Sequence, residues 1–190
     1  MDFSQDKTFP VGRTFVKHFL SDSRNGTKSN RTKFYVSYDE ENLYFRFDCR
    51  EDFFRPAHKE FNAPLYEGDI VELMLTLGDK NRYLEAEVNQ NNAVYLAKIT
   101  NFDGKGDISI KLFGENFIKS AVSVNQTGWT CDIIIPIEKL TEKGWEAENA
   151  FFNAHRQDFD EKGYLNLYSL NPPLSDTFHV TDAFLQMKFN

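Results

Sequence analysis

The chain has 190 residues, 41% of them hydrophobic and 27% charged, with a formal net charge of -7. That length and balance fit a single globular domain with a core of its own. The acidic excess argues against nucleic acid or an anionic membrane as partner, because both need a basic face, and no apolar run approaches the roughly 20 residues of a membrane span.

In chain order, Met1-Asp2-Phe3-Ser4-Gln5-Asp6-Lys7 is polar and lacks the apolar centre of a secretory leader. The expectation is a cytoplasmic chain or the mature form of a secreted one, loosely held before about Pro10. Thr32–Tyr38 alternates as a strand, Asp39-Glu40-Glu41-Asn42 turns, and Leu43–Cys49 alternates again, which predicts a hairpin. Arg50 to Glu67, with Pro56 and Pro64, is expected to be a long loop. Then comes Tyr66-Glu67-Gly68-Asp69-Ile70-Val71-Glu72-Leu73-Met74-Leu75. Here Val71, Leu73, Leu75 and Leu77 share one face, and Ile70, Glu72, Met74 and Thr76 share the other. A ring and two carboxylates thus converge near one strand end. This chemistry suits a polyhydroxylated ligand, with the ring stacking on a flat apolar face and the acids accepting hydroxyl hydrogen bonds.

Tyr83–Val88 is a further strand, with Leu84, Ala86 and Val88 inward and Tyr83, Glu85 and Glu87 opposite. Asn89-Gln90-Asn91-Asn92 turns into its partner, Ala93–Ile99. Asn101–Asp107 reads as a loop. Ile108–Phe113, Ile118–Val124 and Trp129–Ile135 are strands, the last ending at Pro136. Ile137–Leu140 is one helical turn, and Ala150–Arg156, Tyr164–Leu170 and Ala183–Phe189 are the final strands. About ten or eleven strands with turns every 8–12 residues predict an all-β, antiparallel β-sandwich of jelly-roll or immunoglobulin-like type, in one domain over residues 1–190. Cys49 and Cys131 are too few for a disulfide scaffold and lie in apolar strand patterns, so they are expected to be buried free thiols. Trp129 belongs to the core, and Trp145, in a polar segment, is expected to be more open to solvent.

Four stretches together resemble the family 9 carbohydrate-binding modules and the wider DOMON-like sandwich superfamily. They are Tyr35–Phe45, Leu65–Leu73, Gly128–Pro136, and the tail in which Phe152-Asn153-Ala154-His155-Arg156 is followed by Tyr168 and Asp176-Thr177-Phe178-His179-Val180. The resemblance spans roughly Lys33 to Phe189. It implies a β-sandwich that binds sugars of glucan or xylan type between two aromatic rings, without catalysis, often beside a separate catalytic protein and with structural calcium. Carried over by position, it makes Tyr66 the first ring, Tyr168 the second, and Glu72 the acid on the following strand. Both rings are Tyr where the best-known members carry Trp, which weakens stacking.

The carbohydrate-binding candidates are therefore Tyr66, Asp69, Glu72, Glu85, Asn153, Arg156 and Tyr168. Asp69 equally suits a turn cap, and Arg156 equally suits a structural ion pair. Strict alternation puts Asn153 with His155, and Arg156 with Phe152 and Ala154, on opposite faces. His179 is expected to make a structural hydrogen bond. For calcium, the oxygen-rich stretches are Asp39–Asn42, Asp48 with Glu51 and Asp52, and Asn101–Asp107, none of which has EF-hand spacing. Three rival readings stay open. One is a structural or protein-interaction sandwich that has lost the sugar site. Another is a glycoside-processing enzyme using Glu72 and Glu85. The third is a haem-binding DOMON relative using Met74, Met187, His155 or His179.

Overall fold

The computed structural model describes residues 8–190, so the reading of Met1–Lys7 lies outside the described residues. Thirteen strands occur among them: β1 Thr8–Val11, β2 Val16–Asp22, β3 Lys28–Tyr38, β4 Asn42–Arg50, β5 Ile70–Asp79, β6 Arg82–Asn89, β7 Val94–Asn101, β8 Ile108–Leu112, β9 Lys119–Asn125, β10 Gly128–Pro136, β11 Phe151–Phe159, β12 Leu165–Ser169 and β13 Leu185–Phe189. Helix is confined to α1, Ile137–Thr141, and three short 3-10 turns. The hydrogen-bonded order is β8-β7-β6-β5-β11-β12-β2-β3-β4-β10-β9. Only two residue pairs, Tyr168 with Asp22 and Ser169 with Ser21, join β12 to β2. This narrow seam joins the two halves of the hydrogen-bonded path, and every pairing on the path is antiparallel. β1 and β13 are the exception, a parallel pair that joins the first layer through β11.

The alternation read from the sequence governs the packing. Val71, Leu73, Leu75 and Leu77 of β5 and Leu84, Ala86 and Val88 of β6 join Phe34, Val36, Phe45, Phe47, Trp129, Cys131, Ile133 and Ile135 in the core between the layers. Phe34 lies 5.1 Å from Phe47 and 6.1 Å from Phe152, ring centre to ring centre. Much of the aromatic content is therefore core, where each fully buried ring contributes roughly 1.5–3 kcal/mol. Cys49 and Cys131 are buried free thiols, and burial pushes the Cys49 thiol up to about 12. Trp145 corrects its expectation: it is buried against the same core, edge-on to Phe189 at 6.0 Å.

The sequence reading passes over β1 and β2. β1 contains Pro10, which lacks an N–H and is tolerated because this strand sits at an edge. In β2 a register shift between Phe19 and Ser21 breaks the period of two, which hides the strand from pattern reading.

The other face of β5–β8, β11 and β12 carries a second apolar cluster. It includes Leu65, Ile70, Met74, Tyr83, Tyr95, Ile99, Leu167, Phe178 and Phe184. A sheet whose outer face is also apolar needs a cover. The segment between β12 and β13 supplies part of it, with Phe178 stacked on His155 at 4.2 Å. The gap left under this cover is the site.

Candidate functional site

Register fixes the floor of the site. Glu72 of β5 stands opposite Glu87 of β6 on one side and His155 of β11 on the other. Glu85 pairs with Met74 and Ala97, and Glu87 with Tyr95 of β7. Directly paired side chains in an antiparallel sheet have Cβ atoms about 4.5–5.5 Å apart, so three carboxyl groups share one patch. Above it is a cavity of about 280 Å³, walled by Tyr66, Tyr95, Phe178, His179, Gln157 and Leu167 among others. Tyr66 stands at the mouth, 54% exposed.

The acids are buried and short of partners. Glu72 and Glu87 are each 3% exposed and Glu85 5%. Glu72 Oε1 and Glu87 Oε2 have no hydrogen-bond partner among the described residues. Burial raises all three carboxyls: Glu72 and Glu87 well above the usual carboxylate range, Glu85 to about 7. The neighbouring Glu85 and Glu87 raise Glu72 further, and contact with Glu72 lowers Glu85. His179 Nε2 lies 3.7 Å from Glu85 Oε1, while its Nδ1 makes a 2.8 Å hydrogen bond with the Tyr83 hydroxyl. Burial lowers His179 to about 4 and drives His155 well below the ordinary imidazole range, so both rings are neutral near pH 7.

The turn that presents Tyr66 is held from beneath. The Gln157 side-chain amide donates to the carbonyls of Tyr66 and, at 2.9 Å, Gly68. Leu65 is fully buried as its anchor. Gly68 has an extended backbone, but a Cβ there would sit 2.4 Å from the Arg55 carbonyl oxygen and 2.7 Å from the Ala57 nitrogen. Only glycine permits that close approach. Asp69 pins the same turn. Its Oδ2 accepts from the Arg55 N–H at 2.6 Å and the Gln90 amide at 3.1 Å, and its Oδ1 from the Phe159 N–H at 2.7 Å.

Of the seven residues singled out by sequence, the structure brings Tyr66, Glu72 and Glu85 together at one cavity. Asp69 lies beneath the turn with no exposed surface. Asn153 is on the same sheet face but beyond the cavity, where its amide donates to the carbonyls of Asn171 and Ala183. Arg156 and Tyr168 are register partners on the opposite face, the consequence of one step of alternation from His155. Arg156 is fully buried. It donates to Glu51 at 2.7 Å, lies 3.1 Å from Asp158, and also reaches Thr32 and the Arg50 carbonyl. Tyr168 lines a different cavity of about 480 Å³, with Arg31, Glu51 and Asp158. Tyr66 and Tyr168 therefore do not face each other across a groove.

Sequence reasoning did not single out Tyr95, Phe178 or Gln157 for the site. Tyr95 was detectable: it alternates with Ala93 and Ala97 onto the acid-bearing face. Gln157 lay past the predicted end of its strand, because Gln157 and Asp158 look like loop residues although both are buried.

The oxygen-rich stretches spend their oxygens on the protein itself. Asp39 accepts from the N–H groups of Glu41 and Asn42 and from the Tyr44 hydroxyl, and Asp103 from the N–H groups of Lys105 and Asp107. Glu51 pairs with Arg156. Among the described residues no group of three or more His, Cys, Asp or Glu is arranged to hold a metal ion. Nor is any described helix long and apolar enough to cross a membrane.

With this geometry in hand, comparison places the chain among known folds. Residues 8–168 match the family described as carbohydrate family 9 binding domain-like. No curated protein matches the sequence significantly. A protein from Bacteroides uniformis shares the fold at a TM-score of 0.77 and 12% identity, covering 97% of this chain and 99% of its own. A family 9 carbohydrate-binding module from Caldicellulosiruptor kristjanssonii, solved with glucose, aligns at a TM-score of 0.64 and 14% identity over 97% of this chain and 96% of its own. The same organism's module with cellotriose gives 0.60 and 12% over 96% and 94%. At these identities the structural likeness concerns the fold.

Proposed function

The chain belongs to the carbohydrate family 9 binding domain-like family, and on that footing we propose that it binds a saccharide, without catalysis, in the cavity over Glu72, Glu85 and Glu87. The observation that carries this reading is the pair of unpartnered buried oxygens, Glu72 Oε1 and Glu87 Oε2, at the floor of a ring-walled cavity. Buried polar atoms without partners cost free energy, and hydroxyl donors relieve that cost. A pyranose offers hydroxyls around its edge and an apolar face for Tyr66 at the mouth. At about 280 Å³ the space is at the low end for small-ligand sites, which begin near roughly 300 Å³. It suits one ring or the end of a chain. The related module solved with glucose and cellotriose supports a glucan-type ligand; a xylan-type ligand and a separate catalytic protein complete the set of partners.

The placement of the acids supports non-catalytic binding. Glycoside hydrolysis needs two carboxyls flanking the scissile bond, about 5–10 Å apart. Here all three acids stand side by side on one sheet face, so no two of them flank a bound ring from opposite sides.

Calorimetric titration with cellotriose, xylotriose and amino-sugar trimers tests the reading. Binding in the micromolar to millimolar range, weakened by Tyr66→Ala, is the expected result. No heat with any of these sugars at millimolar concentration refutes it.

A further inference from the structure

We propose that this cavity selects a saccharide carrying a positive charge, a hexosamine or a chain ending in one, with its ammonium group seated among Glu72, Glu85 and Glu87. This rests on the carbohydrate-binding reading above and names the ligand class. Four carboxyl-bearing residues line one small cavity, Glu72, Glu85 and Glu87 on its floor and Asp176 on the covering segment, where Asp176 pairs with Arg24 at 2.6 Å; among the described residues no Lys or Arg lines the cavity itself. The nearby lysines of β7 and β8, Lys98 and Lys111, are register partners on the other face of the sheet. His179 lies 3.7 Å from Glu85 and His155 stands opposite Glu72, and both buried rings are neutral near pH 7.

A site for neutral hydroxyls needs a balance of donors and acceptors, because each sugar hydroxyl both gives and accepts. This floor is rich in acceptors: Glu72 Oε1 and Glu87 Oε2 are unpartnered and nine-tenths or more buried. An ammonium is the complement, with three donors and no acceptor. Tyr95 and Phe178 among the walls add faces to which a cation is attracted. In the free protein the charge is removed by protons held on the acids. An incoming ammonium replaces them, so binding releases protons. The other titratable groups around the acids are Tyr83 on β6, His155 on β11, Tyr95 on β7, and Asp176 and His179 on the covering segment. Tyr66 stands at the mouth.

The test compares a glucosamine trimer, the N-acetylglucosamine trimer, cellotriose and cadaverine by calorimetry near pH 6.5, in two buffers of different ionisation heat. Expected is a glucosamine trimer about tenfold or more tighter than cellotriose, the gain of a charge-assisted over a neutral hydrogen bond. Its binding should release protons, and cellotriose binding should release none. In Glu87→Gln, with folding checked by thermal unfolding, the preference should fall to within about threefold. If that variant does not fold, proton release in the wild-type protein decides. Cellotriose or the N-acetylated trimer binding as well as the glucosamine trimer overturns the charge inference and leaves carbohydrate binding standing. Cadaverine binding as tightly as the glucosamine trimer overturns the saccharide part. Silence in every arm overturns both readings.

Discussion

Glu85→Gln should flatten the dependence of stability on pH. The Glu85 carboxyl is 5% exposed and burial raises it from about 4.5 to about 7. Between those values the folded protein keeps a proton that the unfolded chain has lost. Stability is therefore fully present below pH 4.5 and is lost as pH rises through 7. One such proton lowers stability by about 1.4 kcal/mol per pH unit within the window, so the accumulated loss is about 3 kcal/mol by pH 8. Glu72 and Glu87 are raised for the same reason and act with the same sign, so the wild-type slope exceeds one proton's worth. The variant lacks the Glu85 contribution and relieves Glu72 of its repulsion, which flattens the curve further. Urea unfolding at pH 5, 6, 7 and 8 on both proteins measures this. The wild-type protein should lose about 3 kcal/mol more than Glu85→Gln between pH 5 and pH 8. Parallel curves, or a wild-type stability that rises across this range, would refute the placement of a buried acid cluster on this face.

Three further outcomes are expected. Arg156→Met leaves Glu51 buried without its guanidinium and Asp158 with Arg31 alone, and urea unfolding at pH 7 should show a loss of about 3–5 kcal/mol. Gly68→Ala drives a methyl group against the Arg55 carbonyl and the Ala57 nitrogen; the forced backbone shift should cost about 1–3 kcal/mol in thermal unfolding and weaken sugar binding, because the same turn carries Tyr66. Tyr66→Ala removes a half-exposed ring whose side chain is not part of the core. Its unfolding free energy should be unchanged within about 0.5 kcal/mol, while calorimetry should show sugar affinity reduced by about 0.5–1.5 kcal/mol.

The two faces of each central strand are legible in local alternation. Alternation along β5 and β6 separates Val71, Leu73 and Leu75 from Glu72, and Leu84 and Ala86 from Glu85 and Glu87, and the structure keeps every one of these assignments. A period of two is a local property of an extended backbone, so it needs no knowledge of neighbouring strands. It also separated Asn153 from Arg156, as the fold does. Where pairing departs from regularity, as at the shift in β2, the local pattern fails.

Only the tertiary structure decided which faces meet. Arg156 and Tyr168 look like site residues because charge and ring are what a sugar site uses. Their register with each other turns both to the far side of the sheet, into a separate network with Glu51 and Asp158. Gln157 lay beyond the predicted strand end and Phe178 in the approach to the last strand, yet one holds the Tyr66 turn and the other walls the cavity. The partners of a strand and the loop that folds over it are set by contacts far apart in the chain. The burial that raises Glu72, Glu85 and Glu87 depends on those contacts, so no reading of the strand alone supplies it.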